Sequence, residues 1–330
     1  MTRAAYAHAG VDVDAGERAV ALMRRSTRSL SGEFASIAAV PVGMREPLVV
    51  SATDGVGTKT DIARRLGRYD TIGQDLVAMC ADDVVCHGAA PAFFLDYVAV
   101  GRIVPERVAE IVGGISAACE QIGCDLLGGE TAEHPGLMGI DEFDVAGFCV
   151  GFVEREALID GSAARAGDVV IGLASSGLHS NGFSLIRRLV DDGRLPLTDE
   201  LLTPTRLYSR AILELMQSLV DRGGVHGLAH ITGGGLARNL PRALGPSLGI
   251  RVNASSWPQP RIFDEVAAAA GLSGAEMRAT FNCGIGFAVI VERAAAETAI
   301  ASLGATGMDA WVIGDVHHAD DLGGSRYVEA

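Results

Sequence analysis

The sequence predicts an α/β fold, with α+β character in places, arranged as two lobes. Three observations carry this expectation. Runs of β-branched and apolar residues alternate with longer stretches of helical period in both halves. Apolar residues make up 48 % of the 330 positions, charged residues only 21 %, and glycine occurs 42 times. That is the composition of an ordered chain with many tight turns, not of a disordered one. Finally, the chain turns at Ala164-Arg165-Ala166-Gly167-Asp168 and a second series of elements begins. Residues 1–166 and 167–330 are therefore expected to form an N-terminal and a C-terminal lobe, each long enough to bury a core.

In chain order, the apolar run PLVVSA gives a strand at 47–53, and helical spacing gives a helix at 71–87. The aromatic and β-branched run FFLDYVAV gives a strand at 93–100. A helix at 105–122, a strand at 125–128 and a long or bent strand at 143–154 complete the first series. The second series reads as strand 168–174, helix 182–192, helix 206–221, a glycine-rich turn at 233–235 and helix 236–243. It continues with a short strand near 249–252, helices near 261–281, strand 285–292, helix 294–304 and strand 309–316.

A net charge of −14 argues against broad nucleic-acid or anionic-membrane surfaces, so an anionic substrate would need a local pocket. The six cysteines include no C-x-x-C pair and sit mostly in apolar runs, as reduced core thiols do. No apolar leader and no stretch long enough to span a bilayer is present, so a cytoplasmic protein is expected.

Lys59 is the only lysine among 27 basic residues. It closes Asp54-Gly55-Val56-Gly57-Thr58-Lys59, a glycine-rich turn directly after a strand, which has the makings of a phosphate cradle. The spacing matches neither a Walker A loop nor a dinucleotide turn. Asp75 and Asp82 are seven apart on the expected helix, hence on one face, with Asp83 beside it. Carboxylates near a helix C-terminus oppose its dipole, which a bound Mg²⁺ would compensate; solvated acids are the plainer alternative. Gly129-Glu130-Thr131, with His134 beyond, reads as an acidic loop after a strand. Ser175-Ser176-Gly177-Leu178-His179-Ser180-Asn181 and Thr232-Gly233-Gly234-Gly235 each precede a helix and suit a phosphate monoester, or else simple capping.

Taken together, AYAHAGVDVDAG, TDGVGTK, DLVAMCADDVV, GAAPAFFLDY, GGETAEHPG, DVAGFCVG, SSGLHSNGFSLIRR, HITGGG and FNCGIGF resemble the phosphoribosylformylglycinamidine cyclo-ligases, or aminoimidazole ribonucleotide synthetases. The resemblance implies a two-domain ATP-binding synthetase fold and a homodimer whose N-terminal strands close a barrel across the interface. It implies ATP-dependent closure of formylglycinamidine ribonucleotide to aminoimidazole ribonucleotide, with Mg²⁺ as cofactor, and leaves a monovalent cation such as K⁺ open. Carried onto this sequence, it gives Lys59, Asp54 and His179 catalytic roles. Gly55, Gly57, Thr58, Lys59, Asp75, Asp83, Gly129, Glu130 and Thr131 would hold the nucleotide, and Asp54, Asp75, Asp83 and Glu130 the metal. The substrate would meet Ser175, Ser176, Gly177, His179, Ser180, Asn181, Thr232, Gly233, Gly234 and Gly235. The chain departs from the family pattern at Ser31–Ile37, at Ala90 (an acid is usual) and at His134 (Met is common). Selenophosphate synthetases resemble it less, because their reactive N-terminal Cys has no counterpart before Cys80. A catalytically silent nucleotide-binding partner would not need this full set of acids and Lys59.

Overall fold

A computed structural model describes residues 12–23 and 35–330, so the departures at Ser31–Phe34 lie outside the described residues. The described chain forms two β-sheets that share no strand. The first lobe contains helices α1 (Val13–Met23), α2 (Lys59–Leu66), α3 (Ile72–Val85) and α4 (Pro105–Ile122). Its strands are β1 (Pro47–Gly55), β2 (Ala90–Val100), β3 (Asp125–Glu133) and β4 (Phe143–Glu154), in the order β1-β4-β2-β3. β4 is long enough to pair antiparallel with both β1 and β2. β2 and β3 run parallel, which requires a crossover, and α4 supplies it. Pro105 opens α4 at a position where no N–H is needed, and Gly123 ends it in the left-handed conformation.

α3 is buried around nearly its whole circumference, as a helix in a core must be. Two glycines bring it against α4: a Cβ on Gly73 would sit 2.1 Å from the Ile115 nitrogen, and one on Gly114 2.3 Å from the Asp70 oxygen. On the sheet side, Gly147 leaves room for Phe94, Cys80 and Leu76. The opposite face of this sheet is apolar too, with Phe93 packed on Phe152, yet Val49 is 65 % and Phe148 44 % exposed.

The second sheet has strands β5 (Val169–Ala174), β6 (Val225–His230), β7 (Leu248–Val252), β8 (Ile285–Val291), β9 (Ala310–His318) and β10 (Tyr327–Glu329). Their order is β10-β7-β9-β5-β8-β6. With them go α5 (Phe183–Asp191), α6 (Ser209–Ser218), α7 (Gly235–Asn239), α8 (Arg261–Ala270), α9 (Gly274–Arg278) and α10 (Ala296–Ala305). Every residue of β8 is buried, because both faces of this sheet are covered. Val169, Ile171 and Leu173 pack on one side with Ile212, Leu215 and Leu303, while Val170 joins Ile250, Ile290 and Ile313 on the other. A third core joins the lobes, since Ile62 and Leu76 share it with Phe183, Phe263 and Phe281.

Several elements differ from the sequence expectation. β3 runs on through Gly129, Glu130 and Thr131, so the acidic segment is strand and not loop. α1, α2, β6 and β10 are additional. The helix expected at 206–221 is shortened to Ser209–Ser218, for a reason that lies in the other lobe. Asp82 Oδ1 accepts hydrogen bonds from the backbone N–H of Tyr208 (3.1 Å) and Ser209 (2.9 Å) and from the Ser209 hydroxyl (2.6 Å). A carboxylate of α3 thus caps α6 across the lobe boundary. Among the described residues, no helix is long and apolar enough to cross a membrane.

Candidate active site at the seam between the lobes

Lys59 does not lie in an exposed cradle. It is the first residue of α2, fully buried, with its ammonium over the Phe183 ring at 5.4 Å. Nζ lies 2.9 and 2.8 Å from the two Asp75 oxygens and donates to the carbonyls of His179 and Thr203, both at 2.9 Å. An ammonium has three N–H groups. All three are engaged, so the expectation that Lys59 faces ATP phosphates is corrected: in this arrangement it ties the first lobe to two backbone segments of the second. Burial lowers its pKa, and the Asp75 charge opposes that effect.

Asp75 is corrected with it. Its Oδ1 also accepts from the Thr205 N–H and hydroxyl, both at 2.7 Å, and its side chain is wholly buried. The shared helix face of Asp75 and Asp82 therefore grips residues 203–209 instead of a metal ion.

Asp83, one residue on, behaves differently. Its side chain is 39 % exposed and accepts a 3.0 Å hydrogen bond from Nδ1 of buried His230, the last residue of β6. Burial works against charging that imidazole, but the Asp83 hydrogen bond and the charges of Asp82, Asp83 and Asp54 prevail and raise its pKa. Asp54, at the end of β1, is raised in turn by partial burial and by Asp83, against a hydrogen bond from its own neighbour Gly55. Burial lifts Asp82 to about 6, with His230 opposing. Three carboxylates thus surround one imidazole whose Nε2 is buried without a partner among the described residues. The sequence reading included His230 only within HITGGG; its spacing from Asp83 in the chain gives no hint that they meet. A cavity of about 210 Å³ opens beside them, lined by Asp83, His230, Asn239 and Arg242 together with Ser51 and Asp160.

The two turns of the second lobe lie side by side, Asn181 Oδ1 standing 3.4 Å from where a Cβ on Gly233 would be. Asn239 donates to the carbonyls of Thr232 (3.3 Å) and Gly235 (2.9 Å), fixing the second turn, in which Gly234 and Gly235 take left-handed φ of 90° and 61°. In the first turn, the Ser176 hydroxyl donates to the Pro204 carbonyl, Ser180 pairs with Thr205, and the Gly177 carbonyl accepts from Asn282. The Ser175 hydroxyl is buried. Ser176, Gly177 and Ser180 thus use these groups within the protein, a second correction to the expected substrate set, while the Ser175 hydroxyl has no partner among the described residues. His179 is 1 % exposed at a left-handed φ of 61°. The Ser176 N–H donates to its Nε2, so its proton sits on Nδ1. Burial, with His230, Lys59 and Arg206 nearby, holds its pKa well below the ordinary value and favours the neutral ring.

Gly55, Gly57 and Thr58 remain at the surface turn between β1 and α2, where Thr58 meets Ser184 of α5. Glu130 is exposed and accepts from the Thr131 N–H at 2.8 Å. In the ladder, Asp54 pairs with Gly147, Gly147 with Asp96 and Asp96 with Gly129. Three strand spacings of ~4.8 Å place Asp54 and the Glu130 region about 14 Å apart on opposite sheet edges. Glu130 cannot share an ion with Asp54 and Asp83 of the same chain, and no group of three His, Cys, Asp or Glu able to hold a metal occurs among the described residues. His134, where the sequence departs from the family pattern, contacts the Tyr97 hydroxyl at 3.1 Å.

Comparison with known proteins covers both lobes. Residues 37–153 match the N-terminal domain, and 165–325 the C-terminal domain, of AIR synthase related proteins. The chain is 45 % identical to the phosphoribosylformylglycinamidine cyclo-ligase of Pseudothermotoga lettingae, over 94 % of this chain and 96 % of that one. It is 46 % identical to the enzyme of the same name from Sorangium cellulosum, over 96 % of each. Among solved structures it is similar in fold to a hydrogenase maturation protein HypE in complex with ATP, with TM-score 0.70 and 18 % identity, covering 95 % of this chain and 90 % of that one.

Two measurements test this geometry. Lys59→Met leaves the buried Asp75 charge unpaired and should cost about 3–5 kcal/mol in urea unfolding; adding Asp75→Asn should recover part of that loss. An unchanged midpoint in the single variant would remove Lys59 from the seam. The second is the pH dependence of His230. Its folded pKa is raised, so its interaction with Asp83 stabilises the fold fully below the unfolded pKa and ceases to do so as pH rises through the folded value. The stability gap between wild type and Asp83→Asn should therefore shrink as pH rises above the ordinary histidine value of about 6.5, and histidine NMR should show a lower His230 pKa in the variant.

Proposed function

Because the chain belongs to the phosphoribosylformylglycinamidine cyclo-ligase family, we propose that it closes the imidazole ring of formylglycinamidine ribonucleotide in purine biosynthesis, converting ATP to ADP and phosphate. Similarity along almost the whole chain carries this reading. The chemistry fits the seam. An amide-type oxygen leaves poorly and phosphate leaves well, so phosphorylating the formyl oxygen lets the amidine nitrogen close the ring. Such transfer depends on positioning and on neutralising charge.

The N-terminal lobe, 1–166, would hold ATP and the C-terminal lobe, 167–330, the ribonucleotide. Asp54 and Asp83 are the pair we assign to Mg²⁺: burial is the main cause of the raised Asp54 pKa, and the charge of nearby Asp83 adds to it, so a cation between them would relieve both. When bound, the ion would neutralise phosphate oxygens. His230, held by Asp83 and biased toward its charged form, would present its Nε2–H to developing negative charge. Asn181 and the turn at 232–235 would receive the substrate. Lys59 and Asp75 act as positioning residues, because they set the carbonyl of His179 and the segment at 203–205.

The uncovered apolar face of the first sheet supports a dimer in which a second copy completes a barrel. Light scattering should report about twice 34.2 kDa. Phe148→Arg combined with Val49→Arg should give a folded monomer; a wild-type monomer at micromolar concentration would remove the barrel.

The functional test is direct. With ATP and Mg²⁺, ADP should appear only when formylglycinamidine ribonucleotide is added, and aminoimidazole ribonucleotide should accumulate in equal amount. ADP release with no azole product would leave a kinase or ATPase instead.

A further inference from the structure

Away from the seam, four of the six cysteines gather in the core of the first lobe: Cys80 on α3, Cys119 near the end of α4, Cys124 just before β3, and Cys149 on β4. All four are free thiols. None serves the chemistry described above, and no three His, Cys, Asp or Glu side chains among the described residues are arranged to hold a metal. What the cluster can carry out is chemistry between sulfurs.

The placement of two of these thiols follows from how α4 ends. Gly123 takes a left-handed φ of 74°, and its N–H donates to the Glu120 carbonyl at 3.2 Å. The Cys124 N–H reaches further back, to the Cys119 carbonyl at 2.9 Å. This nested pair of bonds is a Schellman cap, in which the side chains of the first and last residues lie against each other, usually as an apolar contact. Here both positions carry a thiol. Backbone bond lengths on either side of the 2.9 Å contact keep the two Cα atoms within about 6.8 Å of each other, inside the range that a disulfide spans. The Cys119 and Cys149 thiols each hydrogen-bond to the Cys124 sulfur, so a third sulfur flanks the pair from the sheet. Those two hydrogen bonds hold the Cys124 pKa below the ordinary thiol range, against burial and the charge of Asp125.

We propose that Cys119 and Cys124 form a reversible disulfide, making the end of α4 a site of two-electron oxidation by hydrogen peroxide. The inference is independent of the cyclo-ligase reading. Atoms and electrons balance with peroxide as the sole oxidant. The Cys124 sulfur attacks one peroxide oxygen and the O–O bond breaks; the departing oxygen takes up the thiol proton and leaves as water. The Cys119 sulfur then attacks the sulfenic sulfur, the S–O bond breaks, and that oxygen leaves with the Cys119 proton as a second water. Two electrons pass from the sulfur pair to the peroxide. A second thiol in contact also consumes the sulfenic acid before further peroxide carries it to the irreversible sulfinic acid. Cys119 is 1 % and Cys124 5 % exposed, but Glu120, Gly123 and Asp125 around them are at the surface. Loosening of one terminal helical turn therefore admits an oxidant little larger than water.

The test needs no substrate. The folded chain is treated with hydrogen peroxide, its remaining thiols are alkylated in denaturant, and it is cut with a glutamate-specific protease. Glu120 and Glu142 lie between the three cysteines, so each falls on its own peptide. Residues 111–120 should emerge joined to 121–130 and separate on reduction with dithiothreitol. Cys124→Ser should lose the link, Cys149→Ala should keep it, and circular dichroism of the oxidised wild type should match that of the reduced chain. A link from Cys124 to Cys149, or sulfinic acid at Cys124 with Cys119 still alkylated, would overturn the proposal. So would a link that forms only as the spectrum collapses, or full alkylation of both thiols under peroxide that oxidises them in the unfolded chain.

Discussion

The architecture depends on one buried ion pair. Lys59 and Asp75 come from the same lobe, but each uses its remaining hydrogen-bonding capacity on the other: Lys59 on the carbonyls of His179 and Thr203, Asp75 on Thr205. An ion pair of this kind returns little net stability, since desolvation offsets the attraction, but each partner is very unfavourable alone. It therefore acts more on geometry than on stability. Two backbone segments more than 100 residues downstream can dock in only one way if both charges are to be satisfied. Asp82 repeats the device two turns along α3 by capping α6.

This explains what was legible in the sequence. Long strands such as β2 and β4, and helices such as α3 and α4, declare themselves by composition and period, and their boundaries lie within a few residues of the expectation. α2 does not, because Lys59-Thr60-Asp61-Ile62-Ala63-Arg64-Arg65-Leu66 is mostly polar and is held by partners in the other lobe, including Arg187, which pairs with Asp61. β6 is diluted by His226, Gly227 and His230, polar or small residues that are buried because Asp168 and Asp83 receive the two imidazoles. The GGET segment looks like a loop by its glycines, yet one of them, Gly129, is what lets the Asp96 side chain of β2 lie across β3.

The site was legible in its residue types and not in their roles. Aspartates two turns apart do share one helix face, but a face can meet protein as readily as a cation. Which of the two occurs is decided by donors at 203–209, and nothing local to α3 encodes them. Asp83 differs from its neighbours only in pointing about 100° away, which leaves it half exposed beside His230. The electrostatics follow from that divergence. In a chain of net charge −14, one histidine at the seam is biased toward its charged form by acidic neighbours, while the second, deeply buried and near Lys59 and Arg206, is biased toward its neutral form.

The burial of Lys59 also affects how this protein meets covalent chemistry. Every other basic side chain is an arginine or a histidine, so the folded molecule presents no side-chain amine to solvent. Acylating reagents, amine-directed cross-linkers and lysine-specific proteases find their single side-chain target only when the lobes separate or the chain unfolds. The same residue that registers the two lobes thereby serves as a built-in chemical reporter of whether they are together.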